Sequence, residues 1–162
     1  MTSPALHPDI AHLAPLLGVW RGPGHGEYPT IESFDYLEEV TFGHVGKPFL
    51  AYGQKTRHAV TDLPLHAEAG YWRAPTADRI ELVLAHPTGI VEVQEGSIVT
   101  TDSGLIIELS STTMAGTGSA VSVSALTRRL ELEGDTLRYR VSMAAVGVEL
   151  THHLAAELQR QT

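Results

Sequence analysis

From Gly18 to Met143 apolar and polar residues alternate with a period of two, broken at short intervals by glycine, proline and aspartate. Alternation sends successive side chains to opposite faces, so each run reads as a strand with one buried face. Phe34, Tyr36, Glu38, Val40 and Phe42 share one face, with Leu37 and Glu39 on the other. The same pattern predicts strands over 49–54, 79–85, 90–95, 104–109, 121–127, 129–133 and 136–143. Gly134-Asp135 is a short hairpin turn, and Gly46-Lys47-Pro48, Thr61-Asp62-Leu63-Pro64, Pro75-Thr76-Ala77-Asp78, His86-Pro87-Thr88-Gly89 and Asp102-Ser103-Gly104 punctuate the rest. The Ser/Thr/Gly-rich stretch 110–119 is expected as a long hairpin loop. Ahead of the strands, Ile10, Leu13, Leu16 and Leu17 recur at helical spacing, and Pro15 limits that helix to one or two turns. Many short strands at hairpin spacing without helices between them imply an all-β fold, a closed antiparallel β-barrel with a short N-terminal helical turn at one end.

The end of the chain admits two readings. Leu150, Leu154 and Leu158 suit a helix face, yet the same stretch also alternates. A barrel needs a last strand to pair with its first, because an open edge invites foreign pairing, so 150–160 is read as the closing strand. Period two then puts His152 and His153 on opposite faces, and only one of them enters the barrel.

Composition narrows the function. The 162 residues suit one domain, 1–162, with one core. There are no cysteines, which excludes disulfides and thiolate ligands and agrees with a cytoplasmic home. A formal charge of -8 makes nucleic acid and anionic membrane poor partners. No apolar run approaches the roughly 20 residues of a membrane helix, and Met1-Thr2-Ser3-Pro4 has neither the basic start nor the apolar stretch of a signal peptide.

Motif chemistry is sparse. Gly18-Val19-Trp20-Arg21-Gly22-Pro23-Gly24 lies between a helical turn and a strand, the wrong order for a phosphate loop. Its glycines are read as sites of sharp bending or close strand approach, with Trp20 filling the end of the barrel. Serine and cysteine nucleophile motifs are absent, and without H-E-x-x-H a zinc hydrolase ranks last. A carrier of lipid or another apolar molecule is the alternative function, but it needs an interior cation for a carboxylate head, and no arginine pair announces one. Nine histidines suggest sites without defining one. His66 and Glu68 share a strand face, whereas His44, His66 and His86 are read mainly as structural.

Longer stretches are more specific. Gly18-x-Trp20-x-Gly22-x-Gly24, Tyr28-Pro29-Thr30-Ile31, Phe34-x-Tyr36-Leu37-Glu38-Glu39-Val40 and His44-Val45-Gly46-Lys47-Pro48-Phe49 occur in order. Leu65-His66-Ala67-Glu68-x-Gly70-Tyr71, Thr88-Gly89-x-Val91-Glu92-Val93-x-Glu95-Gly96, Arg138-Tyr139-x-Val141-Ser142-Met143 and His153-Leu154 follow. Together they resemble the nitrobindins across nearly the whole chain.

That resemblance implies a barrel of about ten strands, shaped like fatty-acid-binding proteins, that holds heme b, mostly ferric, at its mouth. It implies isomerisation of peroxynitrite to nitrate and binding of nitric oxide, with a homodimer as the candidate assembly. His153 matches the family's axial histidine, and is thus both the metal ligand and the residue through which catalysis runs. Thr30 matches a threonine beside the heme. Arg128 or Arg129 is a candidate for a propionate, set against the plainer reading of both as a solvated strand face. No distal acid or base is evident.

Overall fold

The computed structural model describes residues 2–162; Met1, the first residue of the stretch read for a signal peptide, lies outside them. A 3₁₀ helix, Pro8–Leu16, leads directly into ten antiparallel strands. These are β1 (Gly18–Tyr28), β2 (Ile31–Gly43), β3 (Leu50–His58), β4 (Pro64–Thr76), β5 (Arg79–Ala85), β6 (Ile90–Thr100), β7 (Gly104–Gly116), β8 (Val123–Glu133), β9 (Thr136–Ala145) and β10 (Val148–Arg160). Each strand pairs with its neighbours in sequence, and β10 pairs with β1 to close the barrel. Closure removes every exposed edge.

The helical segment is tighter than its sequence suggested and is kinked at Ile10, so that each piece keeps to the one or two turns expected. Ile10, Leu13 and Leu16 are fully buried. Their spacing of three is the repeat of a 3₁₀ helix, in which residues i and i+3 eclipse and form one narrow stripe. That stripe joins Trp20, Leu50, Trp72, Ile80, Leu82, Leu105 and Leu158 in the core that fills one end of the barrel. Trp20 is fully buried, as expected, and its indole Nε1 donates to the carbonyl of Leu16 at 2.8 Å. Arg160, at the end of β10, places its guanidinium 4.2 Å over the Trp20 ring and donates to the carbonyls of Leu17 and Pro15 at 2.5 and 2.8 Å. The first and last elements of the chain are thereby fastened to each other.

Close approach explains the glycines of β1. A Cβ on Gly24 would lie 2.3 Å from the Tyr36 ring, and one on Gly26 would lie 2.3 Å from the Phe34 ring. Both rings come from β2, whose inward face is the Phe34-to-Phe42 register read from sequence. Without side chains, β1 leaves the space in which these aromatics lie across the barrel wall.

Three expectations need correction. The stretch 110–119 is not a long loop: β7 continues to Gly116 and pairs with β6 up to Gly116↔Ile90, leaving 117–122 as the connection. The two strands expected over 121–127 and 129–133 are one, β8. And β4 is a full strand of 13 residues, of which only the stretch around His66 and Glu68 was read as strand, since prolines at Pro64 and Pro75 bracket a sequence rich in alanine and glycine.

No helix among the described residues is long and apolar enough to cross a membrane. The outer wall carries Lys55, Arg129, Arg138 and Glu157, each with much of its side chain in solvent.

Candidate functional site: an open cavity with an imidazole at its mouth

Alternate connections fall at opposite ends of the barrel. The helix and the turns after β2, β4, β6 and β8 occupy the filled end, while those after β1, β3, β5, β7 and β9 surround a mouth. Beneath the mouth is a cavity of about 460 Å³. Its upper wall is apolar, with Ile31, Phe34, Leu126, Met143 and Leu154. Below that wall runs a polar belt, with Glu38, Gln54, Glu68, Arg128 and Tyr139, and the bottom is again apolar, with Val40, Phe42, Trp72, Leu130 and Leu137.

His153 lines this cavity, but not by alternation. Leu154, Ala156 and Leu158 form the inward register of β10, whereas Glu157 is exposed. Strict period two would therefore put His153 outside with Glu157. The register against β9 jumps from His152↔Ser142 to Leu154↔Val141, so His153 is an extra residue in a β-bulge. A bulge redirects a side chain that the pleat would otherwise turn away. Ala155, two residues further on, faces the outside, beside Glu157 and Arg140. His152 stays outward, half exposed and 3.8 Å from Glu27.

The His153 ring is held on two sides. Its Nδ1 bonds the carbonyl oxygen of Glu27 at 2.9 Å, so Nδ1 carries the proton. Tyr28 packs edge-on against it with ring centroids 5.3 Å apart. The Tyr28 hydroxyl in turn accepts from the backbone N–H of Ala145 at 3.0 Å, tying β1 to the end of β9. Burial lowers the pKa of His153. The neutral ring with a protonated Nδ1 leaves the Nε2 lone pair as the ligating atom.

Thr30 is exposed in the turn between β1 and β2, next to the cavity residue Ile31. Arg128 is not on a solvated face: only 11% of its side chain is exposed. Its Nη1 and Nη2 donate to the two oxygens of Glu68 at 3.1 and 3.2 Å, and Nη2 also donates to Glu92 at 2.6 Å. The guanidinium expected to meet a propionate is thus already engaged by two carboxylates. Arg129 points outward to Glu131 and Glu108. His44 accepts from the Gly46 N–H at 3.3 Å in the loop after β2, far from the mouth.

Several residues of the polar belt were not singled out from sequence. Tyr139 donates to Glu38 at 2.5 Å, Gln54 donates to the other Glu38 oxygen at 3.0 Å, and the Tyr36 and Tyr139 hydroxyls are 2.8 Å apart. Burial raises Glu38 to about 7, against the opposing pull of those two hydrogen bonds. Tyr52 donates to Glu68 at 2.7 Å. Burial alone would raise Glu92 as well, but Arg128 and His86 outweigh it and hold its carboxyl down at about 2. The signal was present: Glu38 falls on the apolar face of Tyr36, Val40 and Phe42, and a carboxylate on such a face marks a polar interior.

His66 and His86 also meet here, with His66 Nε2 2.9 Å from His86 Nδ1. Ligand atoms of His66, Glu68 and His86 lie within 4.8 Å of one another, so three potential metal ligands do converge. The two bonds of Arg128 to Glu68 put a fixed cation where a divalent ion would draw on that carboxylate. Arg128 is likewise the interior cation a lipid carrier needs, but it is already paired with Glu68 and Glu92 and so is not free for a fatty acid's head.

Fold and site define a binding barrel that is plugged at one end and carries a neutral, oriented imidazole at an apolar mouth, the arrangement that suits a flat metal macrocycle. The chain belongs to the THAP4-like, heme-binding beta-barrel domain family, whose model matches residues 9–160. It is 58% identical to the peroxynitrite isomerase of Nocardia farcinica over 98% of this chain and 94% of that one. It is also 58% identical to peroxynitrite isomerase 1 of Mycolicibacterium paratuberculosis, over 96% and 97% of the two chains. The crystal structure of Rv2717c from M. tuberculosis superposes with a TM-score of 0.95 at 48% identity, covering 98% of this chain and all of that one. The resemblance to the nitrobindins and the ten-stranded barrel expected from it are borne out.

Proposed function

We propose that the chain, acting as one domain, holds ferric heme b at its mouth through His153 and in that form isomerises peroxynitrite to nitrate. The observation that carries this reading is the hydrogen bond from His153 Nδ1 to the Glu27 carbonyl, which fixes the tautomer and leaves Nε2 to ligate. The names of relatives 58% identical over nearly the whole chain support the reaction. When bound, heme supplies a Lewis-acidic iron at which an anion can rearrange without net oxidation. The protein supplies the rest. Ile31, Phe34, Leu126, Met143 and Leu154 exclude water from the faces of a flat ligand. Thr30, on the rim, offers a hydroxyl to a propionate. Arg128 contributes to cofactor binding indirectly, by keeping Glu68 and Glu92 paired below the ligand.

Nitric oxide is a second small ligand of the same form, and the cytoplasm its place of action. A homodimer is the proposed assembly. Nucleic acid and membrane are outside the reading because of the net charge of -8 and the charged outer wall. The test is an absorbance titration with hemin followed by stopped-flow decay of peroxynitrite. A Soret band saturating at about one equivalent, with faster decay and less tyrosine nitration than in buffer, supports the proposal. Decay equal to that of buffer refutes the reaction, and no saturable Soret band refutes the cofactor.

A further inference from the structure

The wall of the cavity opposite His153 is also built for chemistry. Around the ring of ten strands, β5 lies five places from β10 in either direction. His86 follows β5 at the mouth end, and His66 sits near the mouth end of the adjacent β4. Both line the cavity that His153 lines. A ligand carried on His153 therefore faces this pair across the barrel.

The pair is wired from behind. His86 has 9% of its side chain exposed, and its Nε2 faces Oε2 of the fully buried Glu92 at 3.5 Å. Both atoms are buried, and neither makes a hydrogen bond among the described residues, so each is the other's nearest complement. The other nitrogen of His86, Nδ1, bonds His66 Nε2. His66 is anchored by its backbone N–H, which donates to Thr56 at 3.1 Å, and its Nδ1 has no partner among the described residues. Glu68 and Arg128 complete the charged surroundings, with Glu68 3.6 Å from His86 Nδ1.

The bonding fixes what His66 presents to the cavity. Glu92 is a carboxylate and accepts only, so the proton of His86 belongs on Nε2. With one proton per ring, His86 Nδ1 must accept from His66 Nε2, and His66 Nδ1 is then a bare lone pair. Adding one proton to the pair makes His86 Nδ1 a donor, and the remaining His66 proton moves to Nδ1, the nitrogen of this cavity-lining ring that has no partner among the described residues. Charge favours that state: Glu68 and Glu92 carry two negative charges against one on Arg128, and one proton on the pair balances them. Burial lowers the pKa of His66 itself.

We propose that His66 and His86, backed by Glu92, form a proton-gated hydrogen-bond donor that holds a small anion in the cavity opposite His153. The proposal rests on the heme reading and deepens it, because peroxynitrite is such an anion. Protonated, the pair donates from His66 Nδ1. Unprotonated, it presents a lone pair that repels the same anion. His66 and His86 are therefore specificity-determining residues of the reaction.

Fluoride is the probe, because it coordinates ferric heme and accepts hydrogen bonds without undergoing reaction. Its dissociation constant is measured by absorbance across pH for hemin-loaded wild type, His86→Gln and His66→Gln. In wild type the affinity falls as pH rises. In both variants the affinity at low pH drops about tenfold, the scale of one lost bond to a charged group, and the pH dependence flattens. Identical fluoride curves in wild type and His86→Gln, with an intact Soret band, overturn the proposal and leave the heme reading standing. A second readout uses the protein without heme: nitrogen-15 spectra of its histidine rings. Here His66 and His86 titrate together, and His86→Gln removes the shared step from His66. Should hemin fail to bind, these spectra still decide, and two independently titrating rings overturn the proposal.

Discussion

The Glu27 carbonyl accepts a 2.9 Å hydrogen bond from Nδ1 of His153, a residue 126 positions away that the β10 bulge turns into the cavity. A main-chain acceptor cannot be removed by substituting its own side chain, so the ring orientation rests on the backbone of β1. His153→Ala is expected to abolish the saturable Soret band while leaving the circular dichroism of the barrel unchanged. His152→Ala, whose ring is outside, should retain the band. The opposite pattern would show that the bulge lies one residue earlier.

Trp20→Ala should cost about 3–5 kcal/mol, the usual range for a large buried aromatic. The loss includes the Leu16 hydrogen bond and the seat of Arg160, so helix and barrel end should loosen together. An unchanged urea midpoint would contradict this.

Gly24→Val should destabilise by about 1–3 kcal/mol through overpacking, because even its Cβ would collide with the Tyr36 ring. Pairing the substitution with Tyr36→Ala should recover part of the loss. Thermal denaturation of the two single variants and the double variant measures that coupling, and strict additivity would argue against the clash.

Removing Arg128 strands two buried carboxylates, so Arg128→Met should cost about 3–5 kcal/mol. Arg129→Met, on the outer face, should cost no more than about 1 kcal/mol. Equal urea midpoints for these neighbouring substitutions would refute the division between interior and exterior.

Two glutamates set opposite pH dependences. Glu38 has a folded pKa of about 7 against an ordinary 4.5 because of burial, so the native state binds its proton more tightly than the unfolded chain. That term costs nothing below about pH 4.5 and is complete above about pH 7, where it amounts to about 3 kcal/mol. Glu92 is held at about 2, so it stabilises above pH 4.5 and that contribution is lost as pH falls towards 2. Urea unfolding across pH should show Glu38→Gln abolishing the decline between pH 4.5 and 7 while keeping the acid limb. A decline that persists in the variant would assign it to another group.

Where side chains follow the pleat, the sequence was a good guide. Tyr36, Glu38, Val40 and Phe42 alternate on one inward face as read, and the chain closes through its last strand. What escaped were features set by neighbours rather than by period. The bulge at His153 is one residue inserted against β9, and no local pattern in His152-His153-Leu154 records it. The choice of His153 came from family likeness, whereas its true inward turn breaks the alternation used to support it. The Arg128 cluster draws one residue each from β4, β6 and β8, so no local stretch contains it. The pairing of His66 with His86 depends on β4 and β5 lying side by side in the closed sheet.

The 3₁₀ helix and Trp20 make the barrel a cup rather than a tube. Traffic is therefore single-file: whatever enters the cavity must leave by the same opening, past His153 on one side and His66 and His86 on the other. A large flat guest seated across that opening acts as a lid for everything beneath it. Were reactive fragments released below such a lid, Tyr36, Tyr52 and Tyr139 would be among the side chains they met in the cavity wall. The seal at the far end thus governs how long they stay together, although no residue of the plug touches the chemistry.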